Sequence, residues 1–153
     1  MGNTEAAVEA LNDLVLINND RINGYERAKK DLKDSDMELH RVFLSLIAQS
    51  QQFKLELATE VAALGHDIET GTSTSGKLHR TWIDVKTAFT GHSERSVLEE
   101  CEFGEDAILK AYKSALEEEH VPAYVKDILY KQEAGLQTAH DQIKALRDSV
   151  LDN

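Results

Sequence analysis

The sequence predicts an all-α fold: four long helices in two antiparallel hairpins, joined by a long crossover that holds a short helix. Three observations carry this reading. Apolar residues recur at helical spacing through four separate stretches. The composition favours helix, with Ala, Leu, Glu, Lys and Gln abundant and a single proline, Pro122. The breaks between the stretches are short, long and short in turn, which sorts the helices into two pairs.

The first helix is expected over about 4–33, with Thr4 as N-cap and a stripe of Val8, Leu11, Val15, Ile22 and Tyr25. Asp34-Ser35-Asp36 reads as a tight turn. The second helix follows over about 36–64, with Leu39, Phe43, Leu46, Phe53, Leu57 and Leu64 on one face and Gly65 ending it. The crossover, about 65–93, contains a low-complexity loop from Glu69 to Lys77 and carries a short helix over about 77–89, with Trp82, Val85 and Phe89 on one face. Ser93 caps the third helix, about 94–119, whose stripe is Val97, Cys101, Ile108, Tyr112 and Ala115. Pro122 lies near the start of the fourth, about 122–150, with Val125, Ile128, Leu129, Leu136, Ile143 and Leu146. The whole, 1–153, reads as one four-helix-bundle domain. A single long crossover between two hairpins is the ferritin-like way of closing such a bundle.

Charge narrows the functional classes. There are 17 Lys and Arg against 28 Asp and Glu, a net charge of −11. An acidic chain without a basic face is repelled by phosphate, so neither nucleic acid nor an anionic membrane surface is expected as a partner. Cys101 is the one cysteine, so no internal disulfide forms, in keeping with a cytoplasmic setting. No apolar run approaches the length of a membrane span. There is no P-loop and no Ser-His-Asp order.

Several polar residues fall inside the apolar stripes. Glu105 is the clearest, sitting between Cys101, Ile108 and Tyr112. A buried carboxylate must be paired, protonated or metal-bound. On a helical wheel Gln132 and His140 flank Leu136, Asn18 lies in the first stripe, and Gln49, Ser50 and Glu60 lie in the second. Glu26, Glu56 and Glu102 fall at stripe edges. Height along the bundle sets Asn18 level with Gln49 and Ser50, and Glu105 between Gln132 and His140, both near mid-bundle. These residues form a polar layer that fixes helix register, or the remnant of a metal site. His40, His66, His79 and His92 read as surface or helix-end residues.

Four stretches resemble the PA2169-type four-helix-bundle proteins, a bacterial ferritin-like family of unknown function. They are Asn19-Asp20 with Gly24-Tyr25-Glu26, Phe53-Lys54-Leu55-Glu56-Leu57, Ser75-Gly76-Lys77-Leu78-His79-Arg80-Thr81-Trp82 and Leu98-Glu99-Glu100-Cys101-Glu102-Phe103-Gly104-Glu105-Asp106. The resemblance implies a ferritin-like bundle in a bacterial cytoplasm and matches Glu26, Glu56, Glu102, Glu105 and His140 to the ligand helices of di-metal proteins. Gln137, not Glu, stands three residues before His140, so the Glu-x-x-His element of that ligand set is missing.

Two functions stay open at this level. One is a non-enzymatic, self-associating or stress-associated bundle, with a homodimer as the expected assembly. The other is a di-iron-like oxidoreductase or metal-storage bundle with an incomplete ligand set, whose cofactor would be iron or another divalent metal.

Overall fold

A computed structural model describes residues 2–32, 36–65 and 93–150. Four helices lie among them: α1 (Gly2–Asp31), α2 (Met37–Ala63), α3 (Glu94–Glu117) and α4 (Ala123–Ser149). The expected short helix at 77–89, with Trp82, Val85 and Phe89, lies outside the described residues, as do His66, His79, His92 and the Asp34-Ser35 turn.

Local chemistry sets most of the ends. Asp36 caps α2 by accepting from the Leu39 amide at 3.1 Å. Ser93 caps α3 by accepting from the Ser96 amide, also at 3.1 Å. Each satisfies a first-turn N–H that has no partner within the helix. Gly65 closes α2 with φ of 81°, a conformation that any side chain would strain. Thr4 does not cap α1; the helix already runs from Gly2, so Thr4 is an exposed residue inside its first turns.

α1 packs on α2 and on α3, α3 packs on α4, and α4 makes a lighter contact with α2. Asn18 meets Tyr112 while Tyr25 meets Glu105, so α1 and α3 run in opposite directions. α2 and α3 both start at the end of the bundle where Asp36, Leu39, Glu94 and Leu98 line one small cleft. Two hairpins whose second and third helices start at the same end require a long connection between them, the ferritin-like layout.

The apolar core falls into two clusters. One gathers Leu11, Leu14, Leu57, Ile108, Leu129 and Leu136. The other gathers Tyr25, Phe43, Leu46, Val97, Leu98 and Ile143, with the Tyr25 and Phe43 rings 5.3 Å apart. Between them sit the buried polar residues Asn18, Arg21, Ser50, Glu105 and Gln132. α2 and α4 come close at Gly135, where a Cβ would stand 3.1 Å from Gln49 Nε2 and 3.3 Å from Phe53 Cζ.

Candidate functional site

The centre of the bundle is a hydrogen-bonded ladder that touches all four helices. Its core is an ion pair. Arg21 of α1 grips Glu105 of α3 through two bonds, Nε to Oε1 at 2.7 Å and Nη2 to Oε2 at 3.1 Å. Neither side chain has any solvent exposure. The Tyr25 hydroxyl donates to the same Glu105 Oε1 at 2.6 Å. Arg21 Nη1 donates to the Ser50 hydroxyl of α2 at 2.9 Å, and Ser50 donates to Asn18 Oδ1 at 2.8 Å. Asn18 Nδ2 donates to the Leu14 carbonyl at 2.8 Å and to the Tyr112 hydroxyl at 3.0 Å. Tyr112 donates to Gln132 Oε1 of α4 at 2.5 Å, and Gln132 Nε2 donates to Glu56 Oε1 of α2 at 2.9 Å.

Helical spacing builds this ladder. Asn18, Arg21 and Tyr25 are three and four residues apart, so they stack on one face of α1. The planar guanidinium matches the carboxylate in two parallel bonds, the strongest form of such a pair. Its carbon Cζ also lies 5.5 Å from the centre of the Tyr25 ring. Burial alone would lower the Arg21 pKa, but Glu105, Tyr25 and Tyr112 outweigh it and the net shift is upward. Burial, with Glu105 beside it, pushes the Tyr25 hydroxyl well up. Burial raises Tyr112 as well. The Cys101 thiol is driven upward by burial and by Glu105 and Glu100, so it is a core group and a poor nucleophile.

A second constellation lies outside the ladder, between α3 and α4. Ligand atoms of Glu102, Asp106 and His140 lie within 4.8 Å of one another, and among the described residues no other group of three acidic, His or Cys residues does so. His140 Nε2 stands 2.7 Å from Asp106 Oδ1, and its Nδ1 stands 3.3 Å from Asp141 Oδ1. Arg147 of α4 donates to Glu102 Oε1 at 2.7 Å. Asp106 and His140 line a cleft of about 480 Å³ together with Phe103, Lys110, Lys113 and Gln137.

Of the residues singled out by sequence, Glu105, Asn18 and Gln132 meet in the ladder, with Glu56 at its outer end. Gln49 lies beside it, its Oε1 buried and without a hydrogen-bond partner. Glu60 lines a groove of about 430 Å³ at the outer end of the ladder, with Glu56, Phe53, Ile128 and Gln132. Glu102 and His140 belong to the α3–α4 cluster. Glu26 is exposed and lies 3.5 Å from Lys29. The five expected ligands are therefore not brought to one point. His140 does not sit beside Glu105 as expected; it meets Asp106, while Gln132 meets Tyr112. The α3–α4 register is shifted by about one turn from an alignment that puts residue 105 opposite 136. Arg21, Asp106 and Arg147 were missed. The signal for Arg21 was there, since a buried carboxylate demands a cation and Arg21 shares a face with Asn18 and Tyr25.

A ferritin-like fold raises the question of a di-metal centre, and the mid-bundle residues do not fit one. Both oxygens of Glu105 are bound by Arg21, whose cation occupies the place a metal would need, and among the described residues no imidazole joins them. The ladder is complete as a protein-only structure.

The comparisons with known proteins agree with this frame. The family model for a domain of unknown function, DUF2383, matches residues 6–118. The chain belongs to that family. Among solved structures, a mutant of Mycobacterium smegmatis Dps1 is similar over 95% of this chain and 97% of that one, with a TM-score of 0.81 and 12% identity. At that identity the likeness speaks for the fold: a ferritin-like four-helix bundle. No curated protein sequence matches the chain. No described helix is long and apolar enough to cross a membrane.

Proposed function

We propose that this DUF2383 protein works by association, as a non-enzymatic bundle, and that its interior ladder is a clasp holding four helices in register. The observation that carries the reading is the Arg21–Glu105 pair. A carboxylate that already accepts three hydrogen bonds, two of them from a buried guanidinium that neutralises its charge, is a poor metal ligand and a poor general base. The Dps-like fold supports self-association in the same way. A homodimer in a bacterial cytoplasm, with a stress-associated role, is the form of this proposal that the family resemblance favours.

The test is metal content together with assembly. Protein purified without chelator and then offered Fe(II), Mn(II) or Zn(II) should retain less than about a tenth of an equivalent, and should sediment above the monomer mass. Stoichiometric iron lost on Glu105→Gln would overturn the reading.

A second reading rests on the Glu102, Asp106 and His140 grouping, which could hold one divalent cation at the α3–α4 seam. Zn(II) bound by the native protein and lost in both Asp106→Asn and His140→Ala would support it. Arg147 on Glu102, and Lys110 and Lys113 beside the cleft, place positive charge where that cation would sit, and this is why we rank the reading second.

A further inference from the structure

The outer face of α2 differs in chemistry from the rest of the surface. Between Leu44 and Ala63 every exposed residue of this helix is uncharged. The charged residues of that stretch, Lys54, Glu56 and Glu60, are half-buried and fall about 100° or more to either side of the face. The other three helices expose charge along their length, for example Glu9 and Glu26 on α1, Glu99 and Lys110 on α3, and Asp127 and Lys144 on α4. In a chain of net charge −11, an uncharged strip about 28 Å long is a deliberate gap in the repulsion.

The strip also has a repeat. Leu44, Ala48, Gln51, Leu55 and Ala62 follow spacings of four, three, four and seven. That is the alternating pattern of a helix seam, and it lies on the opposite side of α2 from the core residues Phe43, Leu46 and Leu57. Leu44 is 49% exposed and Leu55 is 64% exposed, so two large apolar groups three turns apart stand in solvent on one line. Large residues alternate with alanines, which gives knobs and the holes to receive them.

We infer that this face of α2 is a self-docking surface, where a second copy of the chain lays its own α2 antiparallel across a two-fold axis. The inference rests on the association reading above and names its surface. Two features select a second copy in this orientation. An antiparallel pair centred between Gln51 and Gln52 sets each Leu55 against the partner's Ala48, twice, as an isologous contact requires. It also brings Arg41, which carries the only charge on the line between Met37 and Ala62, to the partner's last α2 turn. That turn holds no basic residue of its own, so its carbonyls and Glu60 are left for an arginine from outside. A parallel pair would place the two arginines together. A highly charged acidic partner would find nothing here to pair with beyond Arg41.

The test is sedimentation velocity on the full chain, with Leu55→Lys as the variant and thermal unfolding as the control. The expected result is a wild-type dimer at micromolar concentration and a dissociation constant at least about tenfold weaker in the variant, with an unchanged Tm when both are diluted to the monomer, because the residue is exposed. A second variant, Gln51→Cys in a Cys101→Ser background, should form a disulfide-linked dimer on mild oxidation. A wild-type protein that is monomeric at every concentration overturns this inference and the association reading together. A wild-type oligomer that survives Leu55→Lys and gives no cross-link overturns only the surface. A monomer whose Tm falls in Leu55→Lys shows that Leu55 is already packed within the single chain, and also overturns it.

Discussion

The two acidic sites of α3 have opposite fates, although Glu105 lies only three residues from Glu102 and one from Asp106. Glu105 faces inward and is enclosed by Arg21, Tyr25 and the core; Glu102 and Asp106 face the α3–α4 seam and are met by Arg147 and His140. The same residue types thus build a closed structural clasp in one place and an open, partly solvated cluster in the other. What separates them is water. In the interior a charge must be fully answered by protein, and breaking one partner leaves the other stranded. At the seam, water answers whatever the protein does not, and each ion pair is worth little.

That contrast can be broken experimentally, beginning with the clasp. Arg21→Met leaves Glu105 buried without its cation and should cost about 3–5 kcal/mol, read from urea unfolding. A loss below 1 kcal/mol would mean that water or another group reaches the site. Tyr25→Phe removes one bond to the carboxylate and keeps the ring against Phe43, so a smaller loss of about 1.5–3 kcal/mol is expected. At the seam, Asp106→Asn leaves His140 with a neutral partner on an exposed surface and should change stability by less than about 1 kcal/mol. If Asp106→Asn cost as much as Tyr25→Phe, the distinction between the two sites would fail.

The finest test uses pH. Glu100, half-buried on α3, has its pKa pushed up by burial to about 8 from an ordinary 4.5; Arg27 opposes the shift and Asp31 adds to it. The folded protein therefore holds this proton more tightly than the unfolded chain. Its contribution to stability stands in full below pH 4.5 and is lost as pH rises through 8. Glu100→Gln should flatten the fall in urea midpoint across that window. A variant whose pH profile overlays the native one would assign the fall to other groups.

Much of the frame was legible in the sequence because helix period, caps and turns are local. Expected and observed helix ends differ by two residues or fewer, and Ser93 and Gly65 end elements for the reasons their chemistry gives. Glu105 was legible as an anomaly, since one helix wheel suffices to bury it. Its answer was not legible from α3. Arg21 lies 84 positions away, and a long cationic side chain on a helix ordinarily reaches out to water. Only the antiparallel packing of α1 against α3 brings the two together. His140 shows the other limit. A wheel places it near the apolar stripe of α4, but in the fold it stands at the outer α3–α4 seam, where it is level with Glu105 and meets Asp106, the next residue and about 100° further round α3. The uncharged face of α2 carries no motif; its message is the absence of charge in an acidic chain.

The most direct test of the clasp is a double-mutant cycle on Arg21→Met and Glu105→Leu, measured by urea unfolding. The account predicts that each single variant loses about 3–5 kcal/mol and that the double variant is more stable than either, because the buried charges leave together. Additive losses, with the double variant the least stable of the three, would show that the two residues act independently and would contradict it.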